Sequence, residues 1–178
     1  MSWPAGRAAD GGLDAVPLTA PPLASASPGA LWLCGKRVVA PDPGGALARA
    51  SADVIVCFQE VHEVEREHPG YADWLRDHEG ERALWFPIPD LAAPPLEVAV
   101  PMVEAVVDRL HEGVSLILHC AGGIGRAPTM ATLALIHLGA SAEAAGTHIA
   151  SHRPMAGPEV GSQTDLVSAY SLRAQARP

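Results

Sequence analysis

From Leu31 onward, short apolar runs alternate with longer amphipathic ones. Leu31–Cys34 and Val38–Val39 read as brief strands. Asp53–Phe58 (DVIVCF) is β-branched and short, so it reads as a buried strand. His62–Glu81 is mostly charged and predicts a helix near Tyr71–His78, after the Pro69–Gly70 break. Ala83–Ile88 predicts another strand, closed by Pro87 and Pro89. Leu96–Glu112 carries Leu96, Ala99, Val100, Val103, Val107 and Leu110 on one helical face, and Gly113 stops that helix. Val114–His119 (VSLILH) predicts a buried strand. An almost wholly apolar helix over Thr129–Leu138 follows, then helices over Ala142–His152 and Val160–Ala174. Strands separated by helices predict a single α/β domain with a central, mostly parallel sheet flanked by helices. Ligands of such sheets bind beyond the carboxyl ends of the strands, which directs attention to the loop after Val114–His119.

Residues 1–29 show no period, and Pro17–Pro28 contains four prolines. This segment reads as a flexible Pro/Ala-rich leader followed by an irregular approach, with the domain spanning residues 30–178. The 178-residue length fits one domain with its own core, and 48% apolar with 18% charged residues fits a globular chain. A formal charge of −8 argues against coating nucleic acid. Lys36 is the sole lysine and follows no glycine-rich run, which excludes a lysine-dependent nucleotide loop. Cys34, Cys57 and Cys120 are too few and too far apart for a disulfide framework or a zinc knuckle. With neither an 18-residue apolar run nor a secretory pattern, the expectation is a cytoplasmic protein that engages no membrane.

The chemistry concentrates in His119-Cys120-Ala121-Gly122-Gly123-Ile124-Gly125-Arg126, between a buried strand and an apolar helix. Its glycines let the backbone curl and turn N–H groups inward, and the next helix aims its positive end at the same place. Residues Ala121 to Gly125 thus make an anion cradle, to which Arg126 adds a planar fork for two phosphate oxygens. Cys120 stands at the base, where positive potential favours a thiolate.

This stretch resembles the H-C-x-x-G-x-x-R signature of cysteine-dependent protein phosphatases, including both glycines of the fuller form H-C-x-x-G-x-G-R. In that pattern His119 hydrogen-bonds within the loop and shapes it around the thiolate. Upstream, Phe86-Pro87-Ile88-Pro89-Asp90-Leu91-Ala92-Ala93-Pro94 resembles the general-acid loop of compact phosphatases, which makes Asp90 the acid. Downstream, Arg153-Pro154 and Gln163-Thr164 resemble the late R-P…Q element, where Gln163 would orient the hydrolytic water. The resemblance implies attack by Cys120 on phosphorus, protonation of the leaving oxygen by Asp90, and hydrolysis of the cysteinyl phosphate, with no metal or cofactor. The order of elements and the short chain resemble the compact dual-specificity branch. Substrates would be phosphorylated proteins or peptides, phosphotyrosine first, with phosphoserine and phosphothreonine open. A loop without lysine makes a polyphosphorylated lipid a poor fit.

One departure stands out. The pattern has Ser or Thr after the arginine, and this chain has Ala127, with Thr129 as a candidate replacement. Loss of a hydrogen bond worth about 1.5–3 kcal/mol would slow breakdown of the phospho-enzyme roughly 10- to 100-fold. Ala127 leaves open a phosphate-recognition module with little turnover. An arsenate reductase is a further alternative and would require Cys34 or Cys57 to reach Cys120. Cys57 is also a candidate for a protective disulfide with Cys120.

Overall fold

The structure is a computed structural model describing residues 12–176. Its five strands are β1 (Asp14–Val16), β2 (Leu31–Gly35), β3 (Val54–Cys57), β4 (Ala83–Trp85) and β5 (Leu116–Cys120). They form one sheet in the order β1-β2-β5-β3-β4. All pairings are parallel except β1 on β2, so the expected α/β architecture with a mostly parallel sheet is the observed one.

Alternation along the strands sorts side chains into two layers. Leu116, Leu118 and Cys120 of β5, with Val54 and Val56 of β3, pack on the side of α5 (Leu96–His111), α6 (Arg126–His137) and α8 (Gly161–Gln175). Ile117, Ile55 and Cys57 face the other layer. That layer is made by α1 (Lys36–Val39), α2 (Pro43–Ala50), α3 (Val61–Glu67) and α4 (Pro69–Asp77). Helix α6 is buried from Arg126 to Ile136, pressed between β5 and helices α5, α7 (Ala142–His152) and α8. A helix enclosed on all sides explains its almost unbroken apolar sequence.

Several elements depart from the sequence reading. Val38–Val39 lie in α1 rather than in a strand; two β-branched residues do not outweigh the turn that follows β2. Helix α2 has no clear sequence signal because Gly44 and Gly45 lower its helix propensity, yet Asp42 caps it by accepting from Gly45 N at 2.8 Å. The charged stretch holds two helices, α3 and α4, divided at His68–Pro69. Helix α6 begins at Arg126, three residues before the expected start, since Pro128 is tolerated in a first turn.

Residues 12–29, assigned by sequence to the leader, are part of the fold. Strand β1 extends the sheet at β2, and Val16, Leu18 and Leu23 enter the core. Hydrogen bonds from Ser27 N to Leu18 O and from Ala24 N to Leu138 O tie the proline-rich stretch down. Apolar residues scattered between prolines gave no period to read. The first eleven residues of that leader lie outside the described ones.

Candidate active site

Strand β5 delivers Cys120 to the carboxyl edge of the sheet, and residues 121–125 curl from there into α6. The loop is held from behind. The carbonyl of Ala121 accepts from Lys36 N at 3.0 Å, and that of Ile124 from Gly157 N at 2.9 Å. The carbonyls of Gly122 and Gly123 accept from Nη2 and Nε of Arg153 at 3.0 and 2.6 Å. Each planar peptide points its N–H opposite its C=O, so these four tethers turn the N–H groups of Gly122, Gly123, Ile124 and Gly125 toward the cradle. None of the four has an acceptor among the described residues. Gly123 sits at φ +67°, and a Cβ there would run into the Cys34 carbonyl and lie 2.7 Å from Arg153 Nη2. Arg153 is itself fully buried, and its charge is met by Asp14 of β1 at 2.7 Å. Sequence reasoning noticed Arg153 only through the R-P…Q resemblance; its partner Asp14 lies in the segment read as a leader.

Arg126 closes the opposite side of the cradle. Glu63 of α3 takes it with both oxygens, at 2.6 and 3.0 Å, and Nη1 also donates to Ile88 O at 2.8 Å. Burial alone would raise the Glu63 pKa. The hydrogen bonds and charge of Arg126, with help from the Glu60 backbone, outweigh it and hold Glu63 below the usual carboxylate range. Sequence reasoning missed Glu63: it reads as the acidic half of the α3 capping box, a role it also fills by accepting from Glu60 N at 2.9 Å.

Asp90 lies on an exposed turn between β4 and α5, where Ala92 N donates to Pro89 O at 3.1 Å. Leu91 adopts φ +55° in this turn, an unfavourable conformation for a leucine, and stays exposed. Asp90 Oδ1 is 3.0 Å from Arg126 Nη2. The sequence-predicted Cys120, Ala121, Gly122, Ile124, Gly125, Arg126 and Asp90 line one pocket of about 200 Å³, together with Leu91 and Glu159. Gly123 is buried and packs against the Cys34 carbonyl and Arg153, outside the pocket lining. Glu159 is a second omission of the sequence reading. Its carboxyl lies against Gly125, and burial first, then the charge of Asp90, raise its pKa against the pull of Arg126.

His119 is fully buried beneath the loop. Its Nδ1 is 3.3 Å from Cys120 O, an acceptor only, so Nδ1 carries the proton and Nε2 accepts from Tyr71 Oη at 2.7 Å. Burial, aided by Arg126, lowers the His119 pKa to about 4. Tyr71, from the charged stretch, carried no sequence signal for this role. Gln163 is also fully buried, and it is not among the residues that line the pocket. Its Nε2 donates to Ala92 O at 3.1 Å, and its Oε1 accepts from Glu159 N at 2.7 Å. Thr129 turns its hydroxyl to the same Oε1, at 3.5 Å, so it does not take the place beside the loop that Ala127 leaves without a donor. Cys57 and Cys34 face the layer of α1–α4 while Cys120 faces the other, and none of the three is in a disulfide among the described residues. Burial pushes the Cys57 thiol far up, which keeps it protonated.

Comparison with known proteins gives a consistent answer. Residues 26–175 match the family described as "PTP-SAK: Swiss Army Knife protein, DSP-PTPase phosphatase domain". No curated protein matches the chain. Among solved structures, Tk-PTP in its active form is 25% identical with a TM-score of 0.63, over 81% of this chain and 91% of that one. Human DUSP28 is 25% identical with a TM-score of 0.64, over 82% and 90%. The fold of kinase associated phosphatase, crystallised with its catalytic cysteine changed to serine, superposes with a TM-score of 0.75. It is 20% identical, over 93% of this chain and 97% of that one.

Proposed function

The chain belongs to the DSP-PTPase phosphatase domain family, and from that premise we propose that it hydrolyses phosphate monoesters on proteins through a cysteinyl-phosphate intermediate. The observation that carries this reading is the shared pocket. Cys120 is at its floor, four unpaired loop N–H groups surround it, Arg126 stands at its wall and Asp90 reaches over it.

The pocket, at about 200 Å³, has room for a phosphate group and the side chain that carries it but not for the rest of a protein substrate. A bound phosphate takes the inward N–H groups and the Nε and Nη2 edge of Arg126, whose Nη1 is already committed to Glu63 and Ile88 and whose Nη2 keeps one N–H on Glu63. Asp90 Oδ1 now holds one of those positions, so substrate binding releases Asp90 toward the leaving oxygen. The Cys120 thiolate then forms the S–P bond as the P–O bond breaks, and protonated Asp90 gives its proton to the departing oxygen. In the second step Asp90, now a carboxylate, takes a proton from water as that water displaces the thiolate. Arg126 and the loop amides bear the equatorial charge in both transition states, and the tethered carbonyls of the loop spare those amides any reorganisation. Gln163 holds the acid loop through Ala92 O; its amide reaches a water only by giving up one of its present bonds. Leu91 and Ile124 give the mouth an apolar wall suited to a phenyl ring, which favours phosphotyrosine among protein substrates.

The recognition-only alternative is not favoured, because the chain retains nucleophile, arginine and acid in one pocket of a phosphatase family. The arsenate reductase alternative lacks support too, since Cys34 and Cys57 lie across the sheet from Cys120. Among the described residues no helix is long and apolar enough to cross a membrane. A cytoplasmic setting, which keeps thiols reduced, suits a cysteine nucleophile. The test is hydrolysis of para-nitrophenyl phosphate without added metal, by the native chain and by Cys120→Ser. Vanadate-sensitive turnover lost in the variant supports the mechanism. Turnover retained by Cys120→Ser, or none in the native chain, overturns it.

A further inference from the structure

Glu159 does not belong to the mechanism above, yet it shares the pocket with the nucleophile. Its Cδ lies 3.0 Å from the place a Cβ on Gly125 would occupy, so the carboxylate rests on the last residue of the anion cradle. The backbone places it there: Glu159 N donates to the buried amide of Gln163 at 2.7 Å, and Gly157 N to Ile124 O at 2.9 Å. Among the described residues no cation is paired with it, and Arg126 is the only basic one that lines the pocket, where it is shared between Glu63 and Asp90.

The charges around the mouth therefore do not balance. With Asp90 carrying the proton it delivers, the lining still offers one guanidinium, already opposed by Glu63, and leaves Glu159 without a counter-charge of its own. A phosphate seated on the loop amides leaves Glu159 at the rim, facing whatever flanks that phosphate. A flanking carboxylate or second phosphate meets repulsion there, and a flanking ammonium or guanidinium meets an uncompensated anion.

We propose that Glu159 is a specificity-determining residue that selects phosphorylated peptide segments with arginine or lysine next to the phosphorylated side chain, and rejects acidic or multiply phosphorylated ones. This rests on the protein-phosphatase reading. An exposed charge pair is worth roughly a factor of two to five in affinity, so attraction of a flanking arginine and repulsion of a flanking glutamate together separate the two by about tenfold.

Two phosphotyrosine peptides that differ only in flanking arginine or glutamate test the idea. The native chain should prefer the arginine peptide by about tenfold in kcat/KM. Glu159→Gln should shrink that ratio about fivefold while lowering KM for para-nitrophenyl phosphate, and Glu159→Lys should reverse the ratio. The same peptides titrated by fluorescence anisotropy onto Cys120→Ser, and onto Cys120→Ser with Glu159→Gln, read the preference as affinity without turnover. If the native chain hydrolyses neither peptide, the hydrolase reading fails and the affinity arm still decides the role of Glu159. An arginine-to-glutamate ratio equal in native and Glu159→Gln proteins, or no preference in the Cys120→Ser background, overturns the proposal.

Discussion

His119 makes the fold sensitive to acid in a way that can be isolated from every other titrating group. In the native state it is neutral, because burial lowers its pKa to about 4, and it accepts from Tyr71 while donating to Cys120 O. In the unfolded chain it titrates near the ordinary histidine value of about 6.5. Between these values the unfolded state binds the extra proton, so stability rises with pH across that window and is lost as pH falls through it. The full loss approaches about 3.4 kcal/mol, and at pH 4.5 about 2.5 kcal/mol of it has been incurred. Protonated His119 would point a second N–H at the Tyr71 hydroxyl, which would have to turn its own hydrogen into the core. The assay is urea unfolding of the native chain and of His119→Gln at pH 7 and pH 4.5. Glutamine can still accept from Tyr71 but does not titrate, and it leaves the other histidines and carboxylates in place. With an m-value of about 2 kcal/mol/M, the native midpoint should fall about 1.2 M further than that of the variant. Equal falls in the two proteins would refute a neutral, desolvated His119.

Three further outcomes follow from the site. Glu63→Gln removes the charge that fixes Arg126 and should lower kcat/KM for para-nitrophenyl phosphate about 10- to 100-fold, with the fold retained by circular dichroism. Gly123→Ala forces a Cβ against the Cys34 carbonyl and Arg153, so the loop must shift; activity should fall at least about 100-fold, and vanadate inhibition should weaken in parallel. Ala127→Ser restores a donor at the start of α6, and since Thr129 is directed to Gln163, steady-state turnover should rise about tenfold or more. An unchanged burst and steady state in Ala127→Ser would show that release of the sulfur is not limited by the missing hydroxyl.

What was legible in the sequence was what the chain keeps local. Cys120, the glycines and Arg126 are contiguous, so their cradle can be read from one strand–loop–helix segment. Asp90 could be read because prolines stiffen its loop. Glu63, Tyr71 and Asp14 were not legible as partners of Arg126, His119 and Arg153, because each pair joins distant parts of the chain and neither member's neighbourhood announces the other. The same holds for β1: Val16, Leu18 and Leu23 gain meaning only against residues of β2 and the helical layer.

These distant partners carry the part of the catalytic design that the motif alone does not specify. A glycine-rich loop can curl in many ways, and its flexibility works against a fixed set of inward donors. Here the loop has little choice. Ala121 and Ile124 are tied by backbone amides of other segments, and Gly122 and Gly123 by the buried guanidinium of Arg153. A buried guanidinium needs a counter-charge, and Asp14 supplies it from the edge strand β1. Arg126 is held in the same manner, by Glu63 from the opposite layer. The two buried ion pairs therefore hold a flexible loop and a flexible side chain in one geometry. In the proposed mechanism the H-C-x5-R motif supplies the reacting groups, and the rest of the fold supplies their geometry.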